Sequence, residues 1–262
     1  MILSRVIHHV KNQQWTAVFL DFVIVVVGVF IGIQVSNWNA ARENAQLGRE
    51  YVRRLSLDLK VDLVGVRQQA AYYDEVLRAI RQADKLLQDP DADPKTLVTT
   101  AYRATEVMYD PPTQATWRQI VSSGHLGLLP EGAVEGGLAN YYGFNTAGDI
   151  YEQLSRSAYR RTVRQIIPLT IQQAIRAGCS DRRNQIGDVV GFVKTCTLDA
   201  DPALVKSAAQ ALKGDPEVAK TLRYQYSNLS TAIDNIHAIG NLIQACLAAL
   251  GKPVNPTETG GP

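Results

Sequence analysis

Residues 16–36 read TAVFLDFVIVVVGVFIGIQVS, twenty-one positions with one charge, Asp21, and one side-chain amide, Gln34. Nothing else in the chain limits its folding so tightly. As a helix rising ~1.5 Å per residue, the stretch covers about the 30 Å of a bilayer's hydrocarbon. Trp15 and Trp38 bracket it, where indole rings anchor at the two interfaces. The uninterrupted apolar run, 22–33, is shorter, and a run of that length also suits a core helix or the apolar region of a cleaved signal peptide. Against those readings, tolerable residues extend the run on both sides, tryptophans flank it, and QVSNWN follows Ile33 in place of a small-x-small cleavage site. The sequence therefore predicts a retained transmembrane helix over 15–38.

Two features lie inside that span. Gly28 and Gly32 form a small-xxx-small step that admits a close helix neighbour. Asp21 falls near the start, where a carboxylate reaches the headgroups or caps the helix. Upstream, residues 1–14 place Ile2, Leu3, Val6, Ile7 and Val10 on one helical face and Arg5, His8, His9 and Lys11 on the other, the pattern of a short interfacial helix. Adjacent histidines on a helix point ~100° apart, so His8 and His9 form a polar face and no metal site.

The net charge of +2 and the absence of a dense basic tract give no support for a nucleic-acid partner. Cys179 and Cys196 bracket a polar stretch, CSDRRNQIGDVVGFVKTC, whose closure by a disulfide is useful in an oxidising compartment; two unrelated small residues are the alternative. Cys246 lies in an apolar helical run and reads as buried. No CxxC occurs, and the four histidines are not spaced with the cysteines as a zinc site requires. For topology, Arg5 and Lys11 with no acids favour a cytoplasmic N-terminus, whereas Arg42, Arg49, Arg53 and Arg54 after the span argue the other way. The cysteine pair and the acid-free N-terminus favour a C-terminal domain on the oxidising side of the membrane, the periplasm in a bacterial cell.

Downstream, Leu59, Leu63, Val66, Ala70, Tyr73, Leu77 and Ile80 recur at alternating steps of three and four, a heptad seam. The span is expected to run on, with a break near Gly48, into a long helix ended by DPDADPK at 89–95. A second helix is predicted over 95–108. A short helix then closes on Gly124 as a left-handed cap, an apolar turn follows at 126–129, and another short helix closes on Tyr141–Tyr142. A third long helix is predicted over 147–177, kinked at Pro168. Asp201-Pro202 and Asp215-Pro216 mark two further starts, and the last helix carries Val218, Leu222, Tyr226, Leu229, Ile233, Ile236, Ile243 and Leu247. No strand-like alternation is sustained. The expected fold is all-α: a transmembrane helix at 15–38 continuing into an extramembrane bundle, 39–251, of three to four long helices plus short ones, then a flexible tail at 252–262.

Two segments resemble a bacterial family of single-span membrane proteins built around a domain of unknown function. They are IGIQVSNWN at 31–39, after a valine-rich span, and TWRQIVSSGHLGLL with LANYY, within 116–142. The positions that match are Asp21, Gln34, Asn37, Trp38, Asn39, Trp117, Ser122, Ser123, Gly124, Leu126, Tyr141 and Tyr142, and the likeness runs from about residue 15 to 145. It implies a membrane-anchored helical protein and no particular activity.

Candidate chemistry is sparse. Ser122-Ser123-Gly124-His125 is the one stretch with nucleophile and base side by side, yet a histidine two residues on cannot by itself orient a serine, and a polar helix C-terminus explains the residues better. Arg156, Arg160 and Arg164 form an i, i+4, i+8 ridge that could hold an anion or pair with Asp58, Asp62 or Asp74. No catalytic residue, metal site or cofactor is assigned. The sequence reads as a non-enzymatic, membrane-anchored helical module acting through protein contacts. Its expected partners are membrane lipid and either a second copy or another membrane protein. A sensor-like ligand-binding bundle is the alternative, and with ~14 residues before the span, its signal would pass to another protein.

Overall fold

The computed structural model describes residues 15–185 and 187–251. The interfacial helix expected at 1–14 and the tail at 252–262 lie outside the described residues.

One helix dominates. α1, Trp15–Gln88, runs 74 residues without interruption, ~110 Å of rod. It does not break at Gly48, contrary to the expectation. Gly48 instead lets a loop approach: a Cβ there would sit 2.5 Å from the Leu128 carbonyl oxygen. Among the described side chains at 15–46 none is buried, and burial begins around Gly48 and Tyr51. The same rod is thus bare along its first part and packed along the rest.

The packed face follows Leu55, Leu59, Asp62, Val66, Gln69, Tyr73, Val76, Ile80 and Ala83, again in steps of three and four. The expected seam is therefore offset at three places, with Asp62, Gln69 and Val76 standing where Leu63, Ala70 and Leu77 were expected. Asp62 and Gln69 occupy its centre line, while Leu63 and Ala70 sit beside them. The apolar neighbours draw the eye in the sequence, but here polar side chains are buried because the fold supplies them with partners.

After α1, α2 (Pro94–Arg103) starts with Asp93 accepting from the Thr96 N–H at 2.8 Å, with Pro94 in the first turn. It ends at Arg103, short of the expected Met108, because residues 104–108 leave the helix to bring the Met108 carbonyl to Tyr73 and Gln69 of α1. α3 (Ala115–Ser122) closes on Gly124, whose φ of 71° is the left-handed cap expected there. A 3₁₀ turn, His125–Leu128, and a π turn, Val134–Leu138, lead into α4 (Ala139–Gly143).

The single long helix expected over 147–177 is three: α5 (Thr146–Ser155), α6 (Ala158–Ile166) and α7 (Leu169–Gly178). Ser157 is extended and caps α6, its hydroxyl accepting from the Arg160 N–H at 3.3 Å. At the second break Ile167 and Pro168 are both extended, since proline disfavours helical backbone before it and brings no N–H of its own. The expected kink is a full interruption. A two-stranded antiparallel hairpin, β1 (Asp181–Arg183) with β2 (Val189–Phe192), lies in the cysteine loop and was not expected. Three or four residues are too few to show alternation.

α8 (Pro202–Gly214) and α9 (Pro216–Leu250) begin at the two Asp-Pro pairs, each aspartate accepting a first-turn N–H at 2.9 Å. α9 runs antiparallel to α1. Its first half joins α1 at 70–83 with α2, α6, α7 and α8 in one core; its last turns, Ile243 to Leu250, meet Tyr51, Leu55 and Leu59 in a second. The seam of α1 is consumed within the chain.

Candidate functional site

The second core carries the polar constellation of most interest. Asp62 is 7% exposed. Its carboxylate accepts the Tyr141 hydroxyl at 2.8 Å and the Thr113 N–H at 2.9 Å, which ties α1 to α4 and to the loop after α2. Tyr142 stacks flat on Trp117 of α3, centroids 4.9 Å apart, and meets Tyr141 edge-on. The Tyr142 hydroxyl and one Asp58 oxygen are buried without a hydrogen bond. Burial, then the negative Asp62, raises the phenol of Tyr141 far above its ordinary range; Tyr142 moves the same way for the same reasons, with Asp58 adding.

Beside this cluster a cavity of about 310 Å³ opens between α1, the loop 110–113, the α4–α5 junction and α9. Asp62 and Tyr141 form part of its wall. Asp110 forms another part, its carboxylate filling the space a Cβ at Gly65 would need. Burial raises the Asp110 carboxyl above the usual range, and the charges of Asp188 and Asp62 push the same way. The sequence reading missed this site. Its available signals were a charge at the centre of the α1 seam and Tyr141 among the positions matched by the resemblance.

The arginine ridge does not survive as a ridge. Arg156 falls in the break between α5 and α6 and pairs with Glu152 at 2.6 Å on the surface. Arg160 and Arg164, on α6, turn inward to Glu106 at 3.8 and 3.1 Å, not to Asp58, Asp62 or Asp74. Arg164 also donates to the Tyr102 hydroxyl and Thr105 Oγ1 and lies 3.9 Å from the Tyr102 ring centre; Arg160 donates to the Thr105 carbonyl. Burial raises the Glu106 carboxyl, opposed by the two guanidinium groups. These arginines clamp α6 to the end of α2.

Ser122 donates to the Gln119 carbonyl of its own helix, while His125 Nδ1 lies 2.9 Å from the Tyr51 hydroxyl on α1, so serine and histidine serve separate contacts. Cys179 is bonded to Cys196, and Cys246 is free and buried, its thiol pushed up to about 11 by burial. Gly28 and Gly32 have nothing within 4 Å of a Cβ. Trp15 and Trp38 are exposed, as is Gln34; Asp21 is partly covered. Among the described residues no group of three or more His, Cys, Asp or Glu could hold a metal.

Fold and site together define an all-α protein in which one helix is both an unpacked apolar rod and the spine of a helical domain. The chain belongs to a family of unknown function, DUF6090, whose model matches residues 21–157. The match takes in Asp62, Trp117, Tyr141 and Tyr142 and stops before α6, leaving Arg160, Arg164 and the disulfide outside it. No curated protein and no solved structure matches the chain.

Proposed function

We propose that this chain is a single-span protein of the bacterial inner membrane whose helical domain stands in the periplasm and acts through contacts with other membrane proteins. The unburied apolar part of α1 carries the reading. From Trp15 to Trp38 fifteen large apolar side chains are exposed. At roughly 1.5–3 kcal/mol each, leaving them in water forfeits on the order of tens of kcal/mol. A bilayer supplies the missing burial at the right length, with a tryptophan at each end. Residues 39–46 are exposed all round, a stalk of ~12 Å between the membrane and the first packed turn. The Cys179–Cys196 bond supports the oxidising side.

The contact role rests on what the fold leaves open. The seam of α1 is buried internally, while the face holding Gly28 and Gly32 meets nothing of its own chain. A helix packed there belongs to a second copy or to another membrane protein. The Arg160 and Arg164 side chains, already matched to Glu106, lend no support to an anion-sensing alternative.

Alkaline carbonate washing of membranes tests the anchor: the protein is expected in the pellet, and its release would remove the anchor from the account. Thiol mapping in intact cells treated with alkylating reagent tests the compartment; Cys179 and Cys196 found reduced would move the domain to the cytoplasm. Crosslinking with Gly28 and Gly32 replaced by isoleucine separates the partners. Loss of a wild-type dimer identifies self-association; no dimer, or one that persists, leaves a different membrane protein as the neighbour.

A further inference from the structure

We infer that the cavity between α1 and α9 binds a small organic cation, an amine joined to an apolar group. At about 310 Å³ it lies at the lower end of the range of small-molecule sites. Val66, Ile239 and Leu242 give it an apolar wall, and Asp62 and Asp110 put two carboxylates on it. Among the described residues no lysine, arginine or histidine lines it. Such a wall, by limiting water, strengthens the attraction between a carboxylate and a bound ammonium.

The carboxylates are held differently. Asp62 is fixed by Tyr141 and Thr113, one donor to each oxygen, which leaves each oxygen room to accept from a ligand. Asp110 has no hydrogen-bond partner or counter-ion among the described residues, and its neighbours Asp62 and Asp188 are of like charge. An ammonium relieves that repulsion. A divalent metal fits the chemistry less well: Mg²⁺ or Ca²⁺ needs six or more oxygens, whereas Val66, Ala238, Ile239 and Leu242 put hydrocarbon on the wall beside the amides of Asn140, Asn145 and Asn235. Phe144, 70% exposed, lines the cavity and is placed to cover the apolar end of a ligand.

The inference is independent of the membrane assignment and is tested on the full chain in detergent micelles. Calorimetric titration with phenethylamine is expected to saturate, and 2-phenylethanol, its uncharged analogue, to bind at least tenfold more weakly. Asp110→Asn removes one charge from the cavity wall and is expected to weaken the amine at least tenfold. Ala238→Trp keeps both charges, fills the cavity from α9, and is expected to abolish binding, with unchanged circular dichroism establishing that each variant is folded. No saturable heat with folded wild type, equal affinity for the alcohol, or undiminished binding in Asp110→Asn would overturn the inference. So would undiminished binding in Ala238→Trp, which would put the amine on open surface outside the cavity.

Discussion

Asp62 sits where the apolar centre line of α1 would otherwise continue, and its two donors decide what it is worth. Replacing it by alanine strands the buried Tyr141 hydroxyl and the half-buried Thr113 N–H, a loss of ~2–5 kcal/mol. Asp62→Asn retains an acceptor and is expected to lose less; urea unfolding of the two variants gives the comparison. The buried phenols make a second residue-scale prediction. Burial raises those of Tyr72, Tyr73, Tyr141, Tyr142 and Tyr159, that of Tyr73 to about 12. In the unfolded chain all of them lose their protons near pH ~10. The folded state therefore binds more protons above that pH, so stability is fully present below pH ~10 and falls as pH rises toward ~12. Tyrosinate absorbance is expected to show a fraction of tyrosines titrating normally and the rest ionising only as the protein unfolds.

At the scale of elements, the contacts between segments matter more than the helices themselves. The hairpin is too short to stand alone. It is held by the Cys179–Cys196 bond, by Glu75 of α1 accepting the Phe192 N–H at 2.7 Å, and by Tyr72 donating to Asp181 at 3.0 Å. Closing a loop of sequence separation 17 is worth ~3 kcal/mol by chain entropy. The Cys179→Ala, Cys196→Ala double variant is expected to lose about that much in chemical unfolding, with faster proteolysis within 180–195. Gly48 tests a different joint. An alanine Cβ would press on the Leu128 carbonyl, forcing the 3₁₀ turn off α1 at ~1–3 kcal/mol. Gly28→Ala, with nothing within 4 Å, is expected to leave the unfolding midpoint unchanged. Thermal melts of the pair distinguish a packed glycine from a bare one on the same helix.

Over the whole molecule, the division is between a stretch of rod on which no described side chain is buried and a domain whose two cores begin at Tyr51. Every buried apolar residue of both cores lies at Tyr51 or beyond. A chain started at Leu47 is therefore expected to be soluble without detergent and to melt within a few degrees of the full chain, with the disulfide formed. Aggregation, or collapse of its melting transition, would show that the exposed half contributes to folding. The antiparallel pairing of α1 with α9 gives the domain its length, and the short helices α2 to α8 fill its flanks.

Much of this was legible in the residues. A 21-residue apolar run between tryptophans, heptad steps, and proline after aspartate each act locally, through length, periodicity and backbone chemistry. They determine where a helix begins and which stretch cannot remain in water. What the tertiary structure decided was which partner each side chain meets. Asp62 was one of three aspartates offered as partners for the arginine ridge, yet its partner is Tyr141, 79 positions away. Arg160 and Arg164 looked like an open ridge, yet Glu106 closes it. The break at Ser157 depends on a cap that competes with helix continuation, and propensity alone does not say which prevails. Periodicity reports the face a helix buries; it carries no information on what arrives there, because that contact is made across tens of residues by the packing of separate elements.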